Sequence, residues 1–173
     1  MMSSEYSSGL IRSTLAAVPR RPSVLAAKAI VFAAVAFAVC VAMSFAVFFA
    51  GQSVMGSAPR ATLGQPGVVR ALVLSAGFLV LMGLFGLGLG AILRRSAAAV
   101  AAYAGVALVL PFILQGLPGR AGRFGPLLLL GNSAAAVKVQ PGFLSPWAAF
   151  GVMAIYAVVG LAVGGFLFQT RDS

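Results

Sequence analysis

Residues that could carry out chemistry are scarce in this sequence. The chain has no histidine and one cysteine, Cys40, and its two carboxylates, Glu5 and Asp172, lie near opposite ends of 173 residues. A metal site needs several His, Cys or carboxylate ligands, a glycosidase needs a pair of carboxylates, and a triad hydrolase needs a histidine. The sequence therefore predicts a protein that is not an enzyme and that holds no metal or cofactor of its own.

Glycine motifs offer no nucleotide site either. The stretch GLGLG, residues 86–90, lies within an apolar run, lacks the GxGxxG spacing and follows no strand, and no GxxxxGK[ST] phosphate loop occurs. Gly86 and Gly90 instead form a GxxxG step, and Gly160 and Gly164 form a second. Because small residues let helix backbones approach closely in a membrane, these four glycines are predicted to pack helices together.

The composition places the helices in a membrane. Hydrophobic residues make up 61% of the chain and charged residues 8%, whereas a soluble domain has about 25% charged residues. A membrane-spanning helix needs about 20 mainly apolar residues. The long uncharged runs therefore predict an all-α polytopic domain over residues 1–173, with Pro111 kinking the third span. The four spans are predicted at about 24–50, 68–93, 97–115 and 146–168.

The basic residues lie at the ends of the apolar runs. The net charge is +10, but the Lys and Arg residues do not form one polar face, so nucleic-acid binding is not expected. Basic residues in short flanks orient membrane proteins with those flanks inside, and this predicts that both termini are cytoplasmic. The residues expected at the membrane interface are Arg20, Arg21, Arg94, Arg95 and Trp147.

Two segments outside the spans have their own patterns. Within residues 1–22, one helical face would carry Leu10, Ile11, Leu15 and Val18, and the segment Pro19–Pro22 would end the helix. This pattern predicts an amphipathic helix lying along the membrane surface. Residues 116–145 are rich in proline and glycine, and their apolar runs are too short to cross a bilayer. They are predicted to be an extracytoplasmic or re-entrant segment with short interfacial helices.

The middle of each predicted span is free of charge. Carriers driven by protons or ions keep ionisable residues in the membrane, so this chain is not expected to power transport by itself. Two hypotheses remain open on these grounds. One is a transport subunit energised by a separate protein, and the other is a small membrane scaffold or accessory protein that transports nothing.

The segment SSEYSSGLIRSTLAAVPRRPSVLAAK, residues 3–28, resembles a cytoplasmic segment of the type-2 family of ABC transporter permeases. The family form is E-Y-x-x-G-x-x-R/K-x-x-L-x-x-x-P-x-R. The matching residues here are Glu5, Tyr6, Gly9, Arg12, Leu15, Pro19 and Arg21. Residues 83–102 are similar to the family's glycine-rich fourth span, basic turn and fifth span, and residues 144–165 are similar to its final span.

The resemblance implies the permease subunit of an ABC exporter in the bacterial plasma membrane. It implies a separate ATP-binding subunit that holds the ATP, and a second permease copy in a homo- or heterodimer. Coupling to the ATPase is assigned to segment 5–18, through Glu5, Tyr6, Gly9, Leu10, Ile11, Arg12 and Leu15. The family typically has two further spans before this segment. We therefore expect a start assigned to an internal methionine, with a naturally short form as the alternative.

Overall fold

The computed structural model describes residues 21–54, 61–93, 95–116, 124–131, 135–138 and 141–170. Helices contain most of these residues, and no strand occurs among them. The all-α fold predicted from the sequence is therefore confirmed. In chain order the elements are α1 (Arg21–Val54), α2 (Val68–Leu93), α3 (Ser96–Ala104), a π-helix (Gly105–Val109), α4 (Leu110–Gln115), α5 (Pro126–Leu129) and α6 (Pro146–Thr170).

Four helical segments are long and apolar enough to cross a membrane, as predicted. They are Ala26–Val54, Val68–Leu93, Ser96–Leu114 and Pro146–Leu167. The 26 residues of α2 extend about 39 Å at the usual helical rise, which exceeds the roughly 30 Å hydrocarbon core of a bilayer. The first helix is longer than predicted, because it begins at Arg21 and continues to Val54.

The third span is one continuous rod made of α3, the π-helix and α4. At the end of the π-helix, the N–H of Leu110 donates to the carbonyl of Gly105, five residues back instead of four. The next residue, Pro111, has no N–H, and in a regular α-helix its ring would clash with the carbonyl of Ala107. The widened turn lies directly before this proline, where the sequence predicts a kink.

Helix α2 lies at the centre of the bundle and packs most extensively against α6. Gly77 of α2 contacts Phe150 of α6, and Gly88 contacts Gly160. Residue numbers rise together along both helices, so α2 and α6 run parallel. Their N-terminal ends therefore lie at the same end of the bundle, close to the loop that precedes α6.

Helix α1 lies at the periphery and runs antiparallel to α2. The ring of Phe37 lies near Gly77, and the ring of Phe32 lies against Gly83. None of residues 26–54 is buried, whereas α2 contains eleven buried residues. The first span therefore packs against α2 and, less extensively, against α6 without burying any of residues 26–54, and most of its apolar surface faces outward.

The core of the bundle lies between α2, the π-helix, α5 and α6. Its buried side chains are Leu74, Phe78, Met82, Ala107, Leu129, Ala149 and Met153. These four elements form the packed unit of the described chain, and α1 contributes no residue to it.

Candidate functional site

The main functional segment predicted from the sequence precedes α1. Its seven residues, Glu5, Tyr6, Gly9, Leu10, Ile11, Arg12 and Leu15, and also Arg20, lie outside the described residues. Their predicted contacts therefore stay predictions. Arg21, the last residue of the matched motif, is the first residue of α1. The predicted coupling segment is thus joined directly to the start of the first span.

The residues predicted at the membrane interface fall at opposite ends of the bundle. Arg95 is exposed, immediately precedes the first residue of α3, and lies two residues after the C-terminal end of α2 at Leu93. Trp147 is the second residue of α6 and is 67% exposed. Because α2 and α6 are parallel, Trp147 lies at the end of the bundle away from Arg95. Arg94 lies outside the described residues.

Two polar residues inside the described spans, Ser75 and Tyr156, form a local hydrogen bond and an aromatic contact. The hydroxyl of Ser75 donates to the carbonyl of Ala71 at 2.6 Å, within the same helix. Tyr156 packs edge-on against Phe85 with ring centroids 6.2 Å apart. No group of three metal-binding side chains occurs among the described residues, which also contain no Asp or Glu. The described spans therefore offer packing surfaces and no acid–base pair.

Three glycines form the closest contact between α2 and α6, which we call the glycine seam: Gly88, Gly160 and Gly164. A Cβ atom built on Gly88 would lie 2.5 Å from the carbonyl carbon of Gly160. A Cβ atom on Gly164 would lie 2.9 Å from the carbonyl oxygen of Gly88. Both contacts are with backbone atoms, which cannot rotate away. Glycine is therefore what allows the two backbones to meet directly.

The four glycines predicted to pack helices do not share one contact. Gly160 and Gly164 lie in the glycine seam, but their partner there is Gly88, which the GxxxG pattern passes over. A Cβ atom on Gly86 would lie 3.3 Å from Cδ2 of Tyr103, so this glycine faces the third span. Gly90 is buried. Two residues along a helix correspond to a rotation of about 200°, which is why Gly86 and Gly88 contact different neighbours.

Helix α5 is short and lies inside the bundle, between the third span and α6. Leu129 and Pro126 are fully buried, and the N–H of Leu129 donates to the carbonyl of Gly125 at 2.9 Å. A Cβ atom on Gly125 would lie 2.9 Å from Cβ of Pro111. The proline in the third span therefore forms part of the surface against which this short helix packs.

A second connection ties the loop before α6 to the start of α2. Nη2 of Arg70 donates to the carbonyl of Val137 at 2.9 Å and to that of Ala136 at 3.3 Å. Gly67 has φ = +93°, and a Cβ atom on it would lie 2.9 Å from the carbonyl oxygen of Val137. We call this arrangement of Arg70, Gly67 and the two carbonyls the Arg70 clamp. It joins segments about 67 residues apart.

Gly88, Arg70 and Ser145 were not predicted from the sequence as contact residues. Ser145 caps α6, because its Oγ accepts a hydrogen bond from the N–H of Ala148 at 3.3 Å. A serine followed by proline at the start of an apolar run is a recognisable signal for this. For Gly88, the sequence signal was only its position as the middle glycine of GLGLG, which favours no particular partner helix. Arg70 carried no local signal, because its partners are distant in sequence.

No protein-family model, curated protein or solved structure matches this chain.

Proposed function

We propose that this chain is the membrane permease subunit of an ATP-binding cassette exporter, energised by a separate ATPase subunit through segment 5–18. The observation that carries the proposal is the motif from Glu5 to Arg21, which matches the form of the coupling segment in type-2 ABC permeases. Its last residue, Arg21, is the first residue of α1. A force applied to the segment would therefore reach the first span directly.

The absence of an energy-coupling residue in the described spans supports an external energy source. Among the described residues, the charged side chains in the spans are Lys28 and Arg70, near the start of α1 and the start of α2. Neither lies at mid-membrane depth, where coupling groups of ion-driven carriers are found. In the proposed mechanism the ATP is bound and hydrolysed by the partner subunit.

The packing of α1 supports a moving role for this helix. It has no buried residue between positions 26 and 54, whereas α2 and α6 meet backbone to backbone at the glycine seam. Displacing α1 disturbs its contacts with α2, which include Phe32 and Phe37, and a smaller set with α6, but it exposes no buried residue of segment 26–54. Alternating access would then consist of α1 moving against the unit formed by α2, the third span, α5 and α6.

The proposed assembly contains one ATP-binding subunit for each permease copy and a second permease copy, in the bacterial plasma membrane. Both termini would be cytoplasmic, so that segment 5–18 faces the ATPase. The turn at Arg95 would lie on the same side, because it is at the end of the bundle where α1 begins. The scaffold alternative predicts no ATPase partner at all.

Co-purification with the candidate ATPase tests the proposal. The full-length chain carries an affinity tag and is co-expressed with a candidate ATP-binding cassette protein. Glu5→Ala and Arg12→Ala should each lower recovery of the ATPase at least tenfold, the loss typical of a central interface residue, while membrane levels of the permease stay unchanged. Gln65→Ala, an exposed polar residue just before α2 at the end of the bundle away from the start of α1, is the matched control.

The same samples, reconstituted in proteoliposomes, provide the second measurement. The wild-type chain should raise the ATP hydrolysis rate of its partner, and the two variants should not. Equal ATPase recovery and equal hydrolysis for wild type, Glu5→Ala and Arg12→Ala would refute the coupling role. A wild-type chain that never recovers the ATPase would favour the scaffold hypothesis.

A further inference from the structure

Among the residues that the structure describes, two basic ones, Arg70 and Lys138, lie at the bundle end where α2 and α6 begin. Arg70 is the third residue of α2, and Lys138 directly follows the loop carbonyl that Arg70 holds. No Asp or Glu occurs among the described residues. Hydrogen bonds to carbonyl groups occupy donors of Arg70, but a carbonyl is neutral, so the positive charge of the guanidinium is not compensated by them.

The guanidinium also keeps hydrogen-bonding capacity beyond its two carbonyl partners. Nη2 donates to the carbonyls of Ala136 and Val137, whereas Nε is buried without a partner in the described part of the chain. A buried Nε is out of reach of a headgroup, but Nη1 forms no hydrogen bond within the described part of the chain, so its two N–H groups stay available to an added ligand.

The second cation lies within reach of the same ligand. Lys138 is bonded to the carbonyl group of Val137, whose oxygen is 2.9 Å from Nη2 of Arg70. Standard bond lengths limit the distance between the Lys138 ammonium and the Arg70 guanidinium to about 12 Å, even when the lysine side chain is fully extended. Lys138 is exposed, so both charges can face one anionic group from two sides.

The surroundings place this pair of charges at the level of lipid headgroups. Helices α2 and α6 begin at Val68 and Pro146, and the exposed Trp147 at the start of α6 is of a type enriched at the membrane interface. Next to Arg70, Val69 and Val73 are exposed on α2. A phospholipid has a charged headgroup and apolar acyl chains, so its binding site needs a charged group with an apolar surface beside it.

We propose that Arg70 and Lys138 bind the phosphate group of an anionic glycerophospholipid, whose acyl chain lies against the exposed face of α2 at Val69 and Val73. An anionic headgroup is favoured over phosphatidylcholine, because the choline cation would be repelled by two nearby positive charges. The bound lipid would supply the negative charge that the described chain lacks. It would also hold the loop of Ala135–Lys138 against the start of α2.

Native mass spectrometry of the full-length chain in detergent, titrated with phosphatidylglycerol or phosphatidylcholine, tests this site. Each basic residue near a lipid headgroup contributes about fivefold in affinity. The wild type should therefore bind phosphatidylglycerol at least about tenfold more tightly than phosphatidylcholine, and Lys138→Gln should reduce that preference about fivefold. Arg95→Gln removes the same charge at the opposite end and should leave the preference unchanged.

Lys138→Gln is used instead of a substitution at Arg70, because Lys138 is exposed whereas a change at Arg70 would also break the Arg70 clamp. Equal affinity of the wild type for the two lipids would overturn the proposal. A loss for Arg95→Gln as large as that for Lys138→Gln would overturn it too, since it would indicate attraction spread over the whole surface. Thermal stabilisation by inorganic phosphate alone that equals that by phosphatidylglycerol would identify a soluble anion as the ligand instead.

Discussion

The glycine seam makes a quantitative prediction for Gly88→Ala. The added Cβ atom would lie 2.5 Å from the carbonyl carbon of Gly160, 2.6 Å from its oxygen and 2.8 Å from the nitrogen of Leu161. Ordinary Cβ contacts begin at 3.4 Å, so α2 and α6 must separate by about 1 Å at this point. Overpacking of this kind costs about 1–3 kcal/mol, and the separation also weakens the core contacts of Met82 and Met153.

The matched control for this prediction is Gly151→Ala, on α6. A Cβ atom at Gly151 has no heavy atom within 4 Å, and the residue is exposed. Both substitutions gain the same helix propensity, about 1 kcal/mol in favour of alanine. The difference between the two variants therefore isolates the backbone contact. At about 2–4 °C per kcal/mol for a chain of this size, Gly88→Ala should unfold roughly 2–12 °C below Gly151→Ala.

Thermal unfolding of the purified chain in detergent measures this difference, with fluorescence of the single tryptophan, Trp147, as the signal. One heating rate is used throughout, because unfolding temperatures of irreversible systems depend on it. Gly164→Ala should fall between the two variants, and Gly86→Ala should lie near the control, since only the ring of Tyr103 has to shift. Equal unfolding temperatures for Gly88→Ala and Gly151→Ala would refute the direct backbone contact.

Two further predictions concern stability and use the same assay. Gly67→Ala and Gly142→Ala both place a side chain at positive φ, but only a Cβ atom on Gly67 would also meet the carbonyl oxygen of Val137, at 2.9 Å. Gly67→Ala should therefore unfold at the lower temperature. The reverse order of unfolding temperatures would contradict the Arg70 clamp. Leu129→Ala should cost at least about 2 kcal/mol, as a buried truncation does. Leu79→Ala, at a site 47% exposed, should cost much less, and equal losses would place Leu129 outside the core.

The fold class and the four spans were predictable because each depends on a local property of the chain. A helix in a bilayer satisfies its own backbone hydrogen bonds, so apolar length alone indicates a span. Runs without charge and flanking basic residues were therefore enough to place α2 and α6 to within a few residues. At Pro111, where the sequence predicts a kink, the structure has a π-helical turn directly before the proline.

The candidate sites were less predictable, because their partners are distant in sequence. The GxxxG pattern found Gly160 and Gly164 but not Gly88, since the choice among Gly86, Gly88 and Gly90 depends on how α2 is rotated against its neighbours. The Arg70 clamp was not predictable for a similar reason, because its partners are distant in sequence. Nothing near Arg70 in the sequence indicates that the carbonyls of residues 136 and 137 accept its hydrogen bonds.

By itself, the sequence determined that this is an apolar, multi-span helical protein with few reactive groups, and it supplied the motif before α1 that motivates the permease proposal. Both follow from composition and from short stretches of consecutive residues. Only the tertiary structure decided that α1 is peripheral, that α5 lies inside the bundle and that α2 and α6 meet at Gly88. In a membrane every helix is apolar on most faces, so hydrophobicity cannot tell a lipid-facing surface from a helix-facing one. That distinction depends on how well the surfaces of two helices fit together, which is decided only when the helices pack in the tertiary structure.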